Sequence, residues 1–157
     1  MNRKVRNATP RTYDNIKFKS MLEVMTYKTL KESGFTPEYE QHTFLIWKGF
    51  VPQIPFFTRN RFKAKNRNIE KVSDATCRDC RSVHDITFTP DFIFDCDGTT
   101  VIVECKGKAN DIFPYKFKMF RKYLEETKDI IDYEIWEIFT KKQLLECIQH
   151  LKKRQKT

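Results

Sequence analysis

The sequence predicts a mixed α/β (α+β) fold with a central mixed β-sheet of about four strands flanked by helices. A strongly apolar segment, residues 100–105, follows a turn signal at residues 95–98 and predicts a buried hairpin strand. Residues 114–127 then place apolar side chains on one face at helical spacing, and residues 132–139 alternate as a strand does. Because a helical crossover follows the hairpin, the sheet should contain both parallel and antiparallel pairs.

The N-terminal part of the chain predicts an arm, a helix and a strand. Residues 1–15 are basic and polar without periodicity, so we expect a loose N-terminal arm. Ser20 is a favourable N-cap and Gly34 a favourable helix end, which predicts a helix between them. Residues 38–47 are rich in side chains that favour β-structure and predict the first strand.

The middle of the chain departs from this pattern. Residues 48–84 contain prolines and a basic run, and we interpret them as an insertion that could carry short strands. Residues 85–94 predict the second strand, although Pro90 within it indicates an edge or a bulge, since proline cannot donate to the ladder.

The C-terminal part predicts a helix over residues 141–152 and a basic tail over residues 152–157. The predicted order is therefore α-β-(insertion)-β-β-α-β-α. These elements predict one domain that covers residues 1–157, a length that suits a single hydrophobic core.

The charge balance indicates a polyanionic partner. The chain has 30 Lys and Arg against 21 Asp and Glu, a formal charge of +9, and basic side chains displace counterions from phosphates. No apolar stretch approaches the ~20 residues of a membrane span. Five cysteines without a disulfide spacing favour a reducing, cytoplasm-like compartment. We expect neither membrane association nor a small-molecule cofactor.

Two carboxylates and a lysine form the densest chemical signal. Asp91 and Glu104 lie at equal distances from the predicted turn, so an antiparallel hairpin should bring them to the same end. Lys106 is two residues beyond Glu104 and should project from the same face. Hard oxygen ligands suit Mg²⁺ or Mn²⁺, and the backbone carbonyl of Cys105 is an additional candidate ligand. The alternative to a metal site is structural: Asp91 would be a surface acid near the turn, and Glu104 and Lys106 would form an ion pair on one face of the strand.

Beyond this spacing, the motifs resemble a known enzyme family. Pro90-Asp91 followed by Glu104-Cys105-Lys106 matches the signature of the PD-(D/E)XK nuclease superfamily. The upstream segment, from Ser20-Met21-Leu22-Glu23 to Glu38-Tyr39-Glu40, resembles the first helix and strand of phage Holliday-junction resolvases of the endonuclease I type. The resemblance covers about residues 18–125, with the insertion interrupting it.

The resemblance implies a restriction-endonuclease-like core and a metal-dependent endodeoxyribonuclease, selective for branched or junction DNA, acting in phage DNA processing in the host cytoplasm. Asp91 and Glu104 would bind the metal, and Lys106 would be the catalytic lysine. Glu23 would complete the site or hold a second metal, although Ser20 and Glu23 also have the spacing of a capping box. Enzymes of this type are dimers, which makes a homodimer an expectation here as well.

Two groups of basic side chains are candidates for DNA contacts. Strict alternation on a strand would place the first group on one face, although a solvated loop explains it equally well: Arg59, Arg61, Lys63, Lys65 and Arg67. The second group follows the catalytic strand and consists of Lys108 and of one predicted face of the next helix: Lys116, Lys118, Arg121 and Lys122.

A zinc site is a further candidate feature. Cys77 and Cys80, followed by His84, could supply part of a structural Zn²⁺ site, which requires four ligands. His42, Cys96 or Asp85 would have to complete it, and two thiols in a polar loop are the alternative. Besides the nuclease, the sequence thus leaves two functions open: a non-catalytic nucleic-acid-binding module on a nuclease-like fold, and an interaction protein organised by zinc.

Overall fold

The computed structural model describes residues 10–60, 68–107 and 112–155. The chain forms two compact units, the first made of Met1–Phe44 with Phe88–Thr157 and the second of Leu45–Thr87. The second unit thus includes the segment 48–84.

The elements occur along the chain as follows: β1 (Arg11–Tyr13), β2 (Ile16–Phe18), α1 (Met21–Glu32), β3 (Glu38–Tyr39), β4 (Phe44–Trp47), β5 (Phe57–Arg59), β6 (Ile69–Lys71), β7 (Thr76–Asp79), β8 (Ile86–Phe88), β9 (Phe92–Cys96), β10 (Thr99–Cys105), α2 (Phe113–Thr127), β11 (Tyr133–Ile138) and α3 (Lys141–Arg154).

The first unit is built on a four-stranded sheet in the order β11-β10-β9-β3. The β9–β10 and β3–β9 pairs are antiparallel, whereas β10 and β11 are parallel and are joined through α2. This arrangement confirms the predicted mixed sheet of about four strands in an α+β fold.

The hairpin between β9 and β10 closes as the sequence predicts. Asp97 and Gly98 both have positive φ angles, 58° and 81°, which a two-residue turn between twisted strands requires and which glycine adopts without strain. The register runs from Thr99 opposite Cys96 to Val103 opposite Phe92. One further step along this register places Glu104 opposite Asp91.

The two faces of the sheet are covered differently. The side chains of Phe92, Val101 and Val103 belong to one apolar cluster with Leu30 of α1 and Leu144 of α3. This face forms the main core, because every one of these side chains is fully buried. The opposite face carries Ile93, Ile102 and Glu104, and α2 lies along it beside β11. Phe120 and Leu124 are the buried residues of α2.

Helix α1 has the termini that the sequence predicts. The hydroxyl of Ser20 accepts a hydrogen bond from the backbone N–H of Glu23 (3.2 Å), which satisfies one free donor of the first turn. At the other end, Phe35 N–H donates to the Leu30 carbonyl (3.1 Å) and Gly34 N–H to the Lys31 carbonyl (3.0 Å). This pair of bonds is a Schellman motif, with Gly34 at φ 95°.

Two predicted strands are each broken in two. The single strand predicted over residues 38–47 is present as two strands, β3 and β4. Glu40 separates them, because it adopts a φ of 48° and turns the chain out of the sheet. The strand predicted over residues 85–94 is likewise present as two strands, β8 and β9. They are separated at Pro90, which has no N–H to donate to a neighbouring strand. Both breaks lie beside Asp91, whose carbonyl accepts from the Glu40 N–H (3.0 Å).

Two described segments near the termini, residues 11–18 and 152–154, form regular structure that the sequence did not predict. Arg11–Tyr13, assigned to the loose arm, pairs with Ile16–Phe18 as an antiparallel hairpin, and Phe18 is buried in the core. The residues assigned to the start of the basic tail form the last turn of α3. Arg154 there donates to the carboxylate of Glu134 (2.6 Å), which links α3 to β11.

The second unit contains a three-stranded antiparallel sheet in the order β5-β7-β6. Strands β4 and β8, where the chain passes between the units, pair as a two-stranded sheet. Across the described ranges 10–60, 68–107 and 112–155, no helix has the length and apolar character that crossing a membrane requires.

Candidate active site

The hairpin places two buried carboxylates against each other. Asp91 is 8% exposed and Glu104 is 3% exposed. The N–H of Asp91 donates to Glu104 Oε2 (3.2 Å), and the N–H of Cys105 donates to Asp91 Oδ2 (2.7 Å). Backbone geometry therefore fixes both side chains at the same end of the hairpin, as the sequence predicts.

Lys106 completes this group. Its Nζ lies 2.5 Å from Glu104 Oε1, and its side chain is only 19% exposed. The N–H of Lys106 donates to the Ile138 carbonyl (2.8 Å), which extends the parallel ladder and holds the backbone beneath the ammonium group. The Lys106 ammonium also lies over the ring of Phe113, 3.9 Å from its centroid.

The proximity of the two acids changes their acidity. Burial, reinforced by the charge of Glu104, raises the pKa of Asp91 to about 7. Burial also raises the pKa of Glu104, and the ammonium of Lys106 opposes this change only in part. Two buried carboxylates with raised pKa values oppose folding when they are ionised, and such groups concentrate at functional sites.

The donor set fits a hard divalent cation. Two carboxylates supply oxygen ligands of the kind that Mg²⁺ and Mn²⁺ prefer, and a cation would stabilise the ionised forms that burial disfavours. The N–H and C=O groups of one strand residue point to the same side. Since the Cys105 N–H reaches Asp91, the Cys105 carbonyl is directed toward the same acid. The Cys105 thiol points away into the core, where it donates to the Thr26 hydroxyl (3.3 Å).

Glu23 lies close to this site but has partners of its own. Its carboxylate accepts from the Tyr39 hydroxyl (2.6 Å), the Ser20 hydroxyl (2.7 Å) and the Lys19 N–H (2.9 Å). The bond to Lys19 is one residue before the position that a capping box uses, so only half of the predicted box forms. Glu23 is 6% exposed, and its charge contributes to the raised pKa of Asp91.

A neighbouring strand adds an acid that the sequence did not single out. Glu137 of β11 is the register partner of Glu104 on β10, and parallel partners project from the same face. Glu137 also lines a groove of about 490 Å³ between α2 and β11, and its charge contributes to the raised pKa of Glu104. The alternation of residues in β11 predicts which face Glu137 occupies. That Glu137 lies next to Glu104 follows only from the parallel register, which the sequence does not show.

The predicted basic side chains separate into described and undescribed groups. Arg59 ends β5 and is exposed, whereas Arg61, Lys63, Lys65, Arg67 and Lys108 lie outside the described residues. On α2, helical geometry places Lys118, Arg121 and Lys122 within about 100° of one another, while Lys116 is turned roughly 160° from Lys118. These four side chains therefore do not form the single helix face that the sequence predicts for them.

The proposed zinc ligands do not form a recognisable centre. Cys77 is fully buried in β7, with its thiol directed at the Arg59 carbonyl (3.8 Å), whereas Cys80 is half-buried and His84 is exposed. Within the part of the chain that the structure describes, no three His, Cys, Asp or Glu side chains are grouped to hold a metal ion. The zinc site therefore stays a prediction, and the hairpin acids offer a pair rather than a complete cage.

One protein family matches most of the chain. Its model is described as "Protein of unknown function (DUF1064)", and it matches residues 3–131. The chain belongs to the DUF1064 family. The matched region includes Glu23, Asp91, Glu104 and Lys106, and it ends before β11 and α3 begin. No curated protein and no solved structure matches the chain.

Proposed function

We propose that the chain is a divalent-metal-dependent endonuclease that hydrolyses DNA phosphodiester bonds. The observation that carries the proposal is the meeting of two buried carboxylates, Asp91 and Glu104, with the ammonium group of Lys106. Burying these charges costs stability, and proteins retain such arrangements mainly where chemistry requires them.

In this proposal each residue has a separate task. Asp91 and Glu104 would hold Mg²⁺ or Mn²⁺, and the bound ion would act as a Lewis acid that stabilises charge on the phosphate and lowers the pKa of water. Lys106 is held by Glu104 at 2.5 Å, so its ammonium is positioned to orient the attacking water and to stabilise the negative phosphorane. Glu23 assists from α1 by adding negative charge beside Asp91.

The arrangement of elements supports a restriction-endonuclease-like core. In the first unit α1, β3, β9, β10, α2 and β11 follow one another in the order α-β-β-β-α-β, and the acids occupy the central hairpin. Together with the Pro90-Asp91 and Glu104-Cys105-Lys106 motifs, this order favours the nuclease over other uses of an acid pair. Selectivity for branched DNA and assembly as a homodimer belong to the same proposal.

The second candidate is a nucleic-acid-binding module without hydrolysis. One observation favours it: Glu104 already satisfies both of its oxygens with Lys106 and the Asp91 N–H. In that case the ion pair would be structural, and the basic side chains of α2 and β5 would provide the binding. The two candidates differ in whether divalent metal converts binding into cutting.

Cleavage of labelled DNA distinguishes these candidates. Linear duplex, single strand, flap and four-way junction would be incubated with Mg²⁺, Mn²⁺ or EDTA, using the wild-type chain, Glu104→Gln, Lys106→Met and the control Glu125→Gln. Glu125 is an exposed acid of α2, its side chain 73% accessible, so its variant tests for general charge effects. The nuclease predicts metal-dependent cutting that the two site variants lose and the control keeps. Binding without cutting under every metal condition would favour the second candidate.

A further inference from the structure

Where β5 pairs with β7 in the small sheet of the second unit, one face is more covered than the other. Thr58 is half-buried and Cys77 is fully buried on one side, and the side chain of Asp79 beside them is only 11% exposed. On the other side, Phe57 and Arg59 are exposed. Alternation on a strand explains why neighbouring residues differ in this way, but it does not explain an exposed phenylalanine on the solvent side.

The strand register gathers an aromatic ring and two guanidinium groups on this exposed face. Phe57 of β5 is opposite Arg78 of β7, and Arg59 follows Phe57 by two residues, so all three project from the same side. Phe57 is 56% exposed, and the side chain of Arg78 is 40% exposed. We call Phe57, Arg59 and Arg78 the β5–β7 face.

The β5–β7 face lies in a strongly basic part of the chain. The segment 45–87 has nine Lys and Arg residues against four Asp and Glu residues. An exposed aromatic ring next to arginines is the combination with which proteins bind single-stranded nucleic acid, because bases stack on the ring and the guanidinium groups attract the phosphates. The charge argues against a second copy of this basic chain as the occupant, since like charges would repel.

We propose that the β5–β7 face is a stacking site for unpaired bases of DNA. Phe57 provides the stacking surface, and Arg59 and Arg78 contact the backbone next to the stacked base. Glu70, opposite Arg78 in the register, accepts a hydrogen bond from the Arg78 guanidinium (3.2 Å) and limits its freedom without using all five of its donors. The inference rests on the proposed nuclease only for the choice of DNA as the polymer, and it assigns the substrate class as DNA with unpaired segments.

Phe56 is a matched control for this proposal. It is 59% exposed, almost the same as Phe57, and its carbonyl accepts from the Asp79 N–H (2.9 Å), so it continues the same strand. By alternation its side chain projects from the opposite side of that strand. A general effect of exposed aromatic area would therefore affect Phe56→Ala and Phe57→Ala equally, whereas a stacking site requires Phe57.

The test is binding of a fluorescent 20-nucleotide oligo-dT and of a duplex of equal length to the full chain in EDTA at fixed salt. Phe57→Ala should weaken single-strand binding about 5- to 150-fold, the range expected for one lost base–aromatic contact. Phe57→Trp should retain the affinity and its emission should be quenched by the oligonucleotide, whereas Phe56→Ala should bind as wild type does. Duplex binding should change less than single-strand binding.

Several outcomes would overturn the proposal: unchanged single-strand binding in Phe57→Ala, equal losses in Phe56→Ala and Phe57→Ala, or a dimer that Phe57→Ala dissociates while DNA affinity is unchanged. Because EDTA removes the proposed catalytic metal, this assay is independent of cutting. Single-strand binding that depends on Phe57, without cutting under any metal condition, would refute the nuclease proposal alone. Cutting with Mg²⁺, together with single-strand binding that Phe57→Ala leaves unchanged, would refute the stacking site alone.

Discussion

The N–H of Asp91 donates to the carboxylate of Glu104 at 3.2 Å, so the backbone of one acid holds the side chain of the other. This bond links the start of β9 to the end of β10 and makes the positions of the two carboxylates a consequence of the hairpin register. The positions of the two carboxylates are thus set by the hairpin. Substitutions at Asp91 and Glu104 should therefore change cleavage and the free energy of unfolding by different amounts.

Neutralising Asp91 should stabilise the metal-free protein while abolishing cleavage. In Asp91→Asn the amide oxygen can still accept from the Cys105 N–H, and the variant no longer has a buried negative charge beside Glu104. Thermal unfolding at pH 8 in EDTA should show a higher Tm than wild type. A lower Tm would show that the Asp91 charge is used structurally.

Neutralising Glu104 should have the opposite effect on stability. Both oxygens of Glu104 accept, one from Lys106 and one from the Asp91 N–H, whereas glutamine offers a single acceptor oxygen and an NH₂ group that must face a donor. We expect Glu104→Gln to lower the free energy of unfolding by roughly 1–3 kcal/mol. Denaturant titration beside Asp91→Asn measures the difference, and equal effects of the two variants would contradict the assigned bonds.

The stability of the metal-free chain should fall as pH rises from about 4 to about 7. The folded protein retains a proton on Asp91 up to a pKa of about 7, whereas the unfolded chain releases it near 3.8. Since the folded state binds more protons in this window, the free energy of unfolding should fall by up to about 1.4 kcal/mol per pH unit.

Denaturant titrations at pH 5, 6, 7 and 8 measure this slope, with Asp91→Asn as the control that should lose the contribution of Asp91 and keep only that of Glu104. Saturating Mg²⁺ should restore stability most at pH 8, because a metal binds the ionised carboxylates. A wild-type stability that rises with pH across this window would contradict the assignment.

Phe113 should position Lys106 without touching the substrate. The ring of Phe113 lies 3.9 Å from the Lys106 Nζ and is stacked on Phe117 with 5.2 Å between ring centroids, so its face is held against the ammonium group. In Phe113→Leu the apolar volume is nearly kept but the cation–π attraction is lost. We expect kcat to fall about 5- to 10-fold with little change in DNA affinity.

Fluorinated phenylalanines at position 113 provide the matching control, because each fluorine weakens the ring face without changing its size greatly. The cleavage rate should fall in step with fluorination, and Phe113→Tyr should restore it. Rates that follow Tm instead of ring electronics would show that Phe113 only packs.

Variants of Glu23 and Tyr39 should show whether Glu23 has a catalytic or a structural role. Tyr39→Phe removes one hydrogen bond to the Glu23 carboxylate, at a cost of about 1 kcal/mol of stability. Glu23→Gln keeps an oxygen for one donor but removes the charge, and we expect it to lower the cleavage rate more than Tyr39→Phe does. Cleavage rates and Tm values for both variants test this, and a stability loss without a rate loss would leave Glu23 a helix cap.

The local elements of the site could be predicted from the sequence because their signals are local. The Asp97-Gly98 turn fixes the hairpin register, and the register alone brings Asp91 opposite Glu104. The Ser20 cap and the Gly34 helix end are likewise set by residues a few positions apart. What these signals predict is the geometry of the acid pair, while the chemistry built on it stays a proposal.

Other features depend on contacts between distant segments and left no local signal. The break at Glu40 requires the left-handed conformation of a residue that usually avoids it, and it accompanies the hydrogen bond from the Glu40 N–H to the carbonyl of Asp91, just before β9. The neighbour relation of Glu137 and Glu104 depends on a parallel register set across all of α2. Phe113 lies seven positions after Lys106, and only the placement of α2 brings its ring to the ammonium.

The most direct test of the proposed metal centre is the number of divalent ions that the acid pair binds. Titration of the metal-free chain with Mn²⁺, followed by electron paramagnetic resonance at pH 8, should show a bound ion in wild type that Asp91→Asn loses. The control Cys80→Ser should bind Mn²⁺ as wild type does, because it alters only the proposed zinc pair. Equal Mn²⁺ binding by wild type and Asp91→Asn would contradict a metal centre at Asp91 and Glu104.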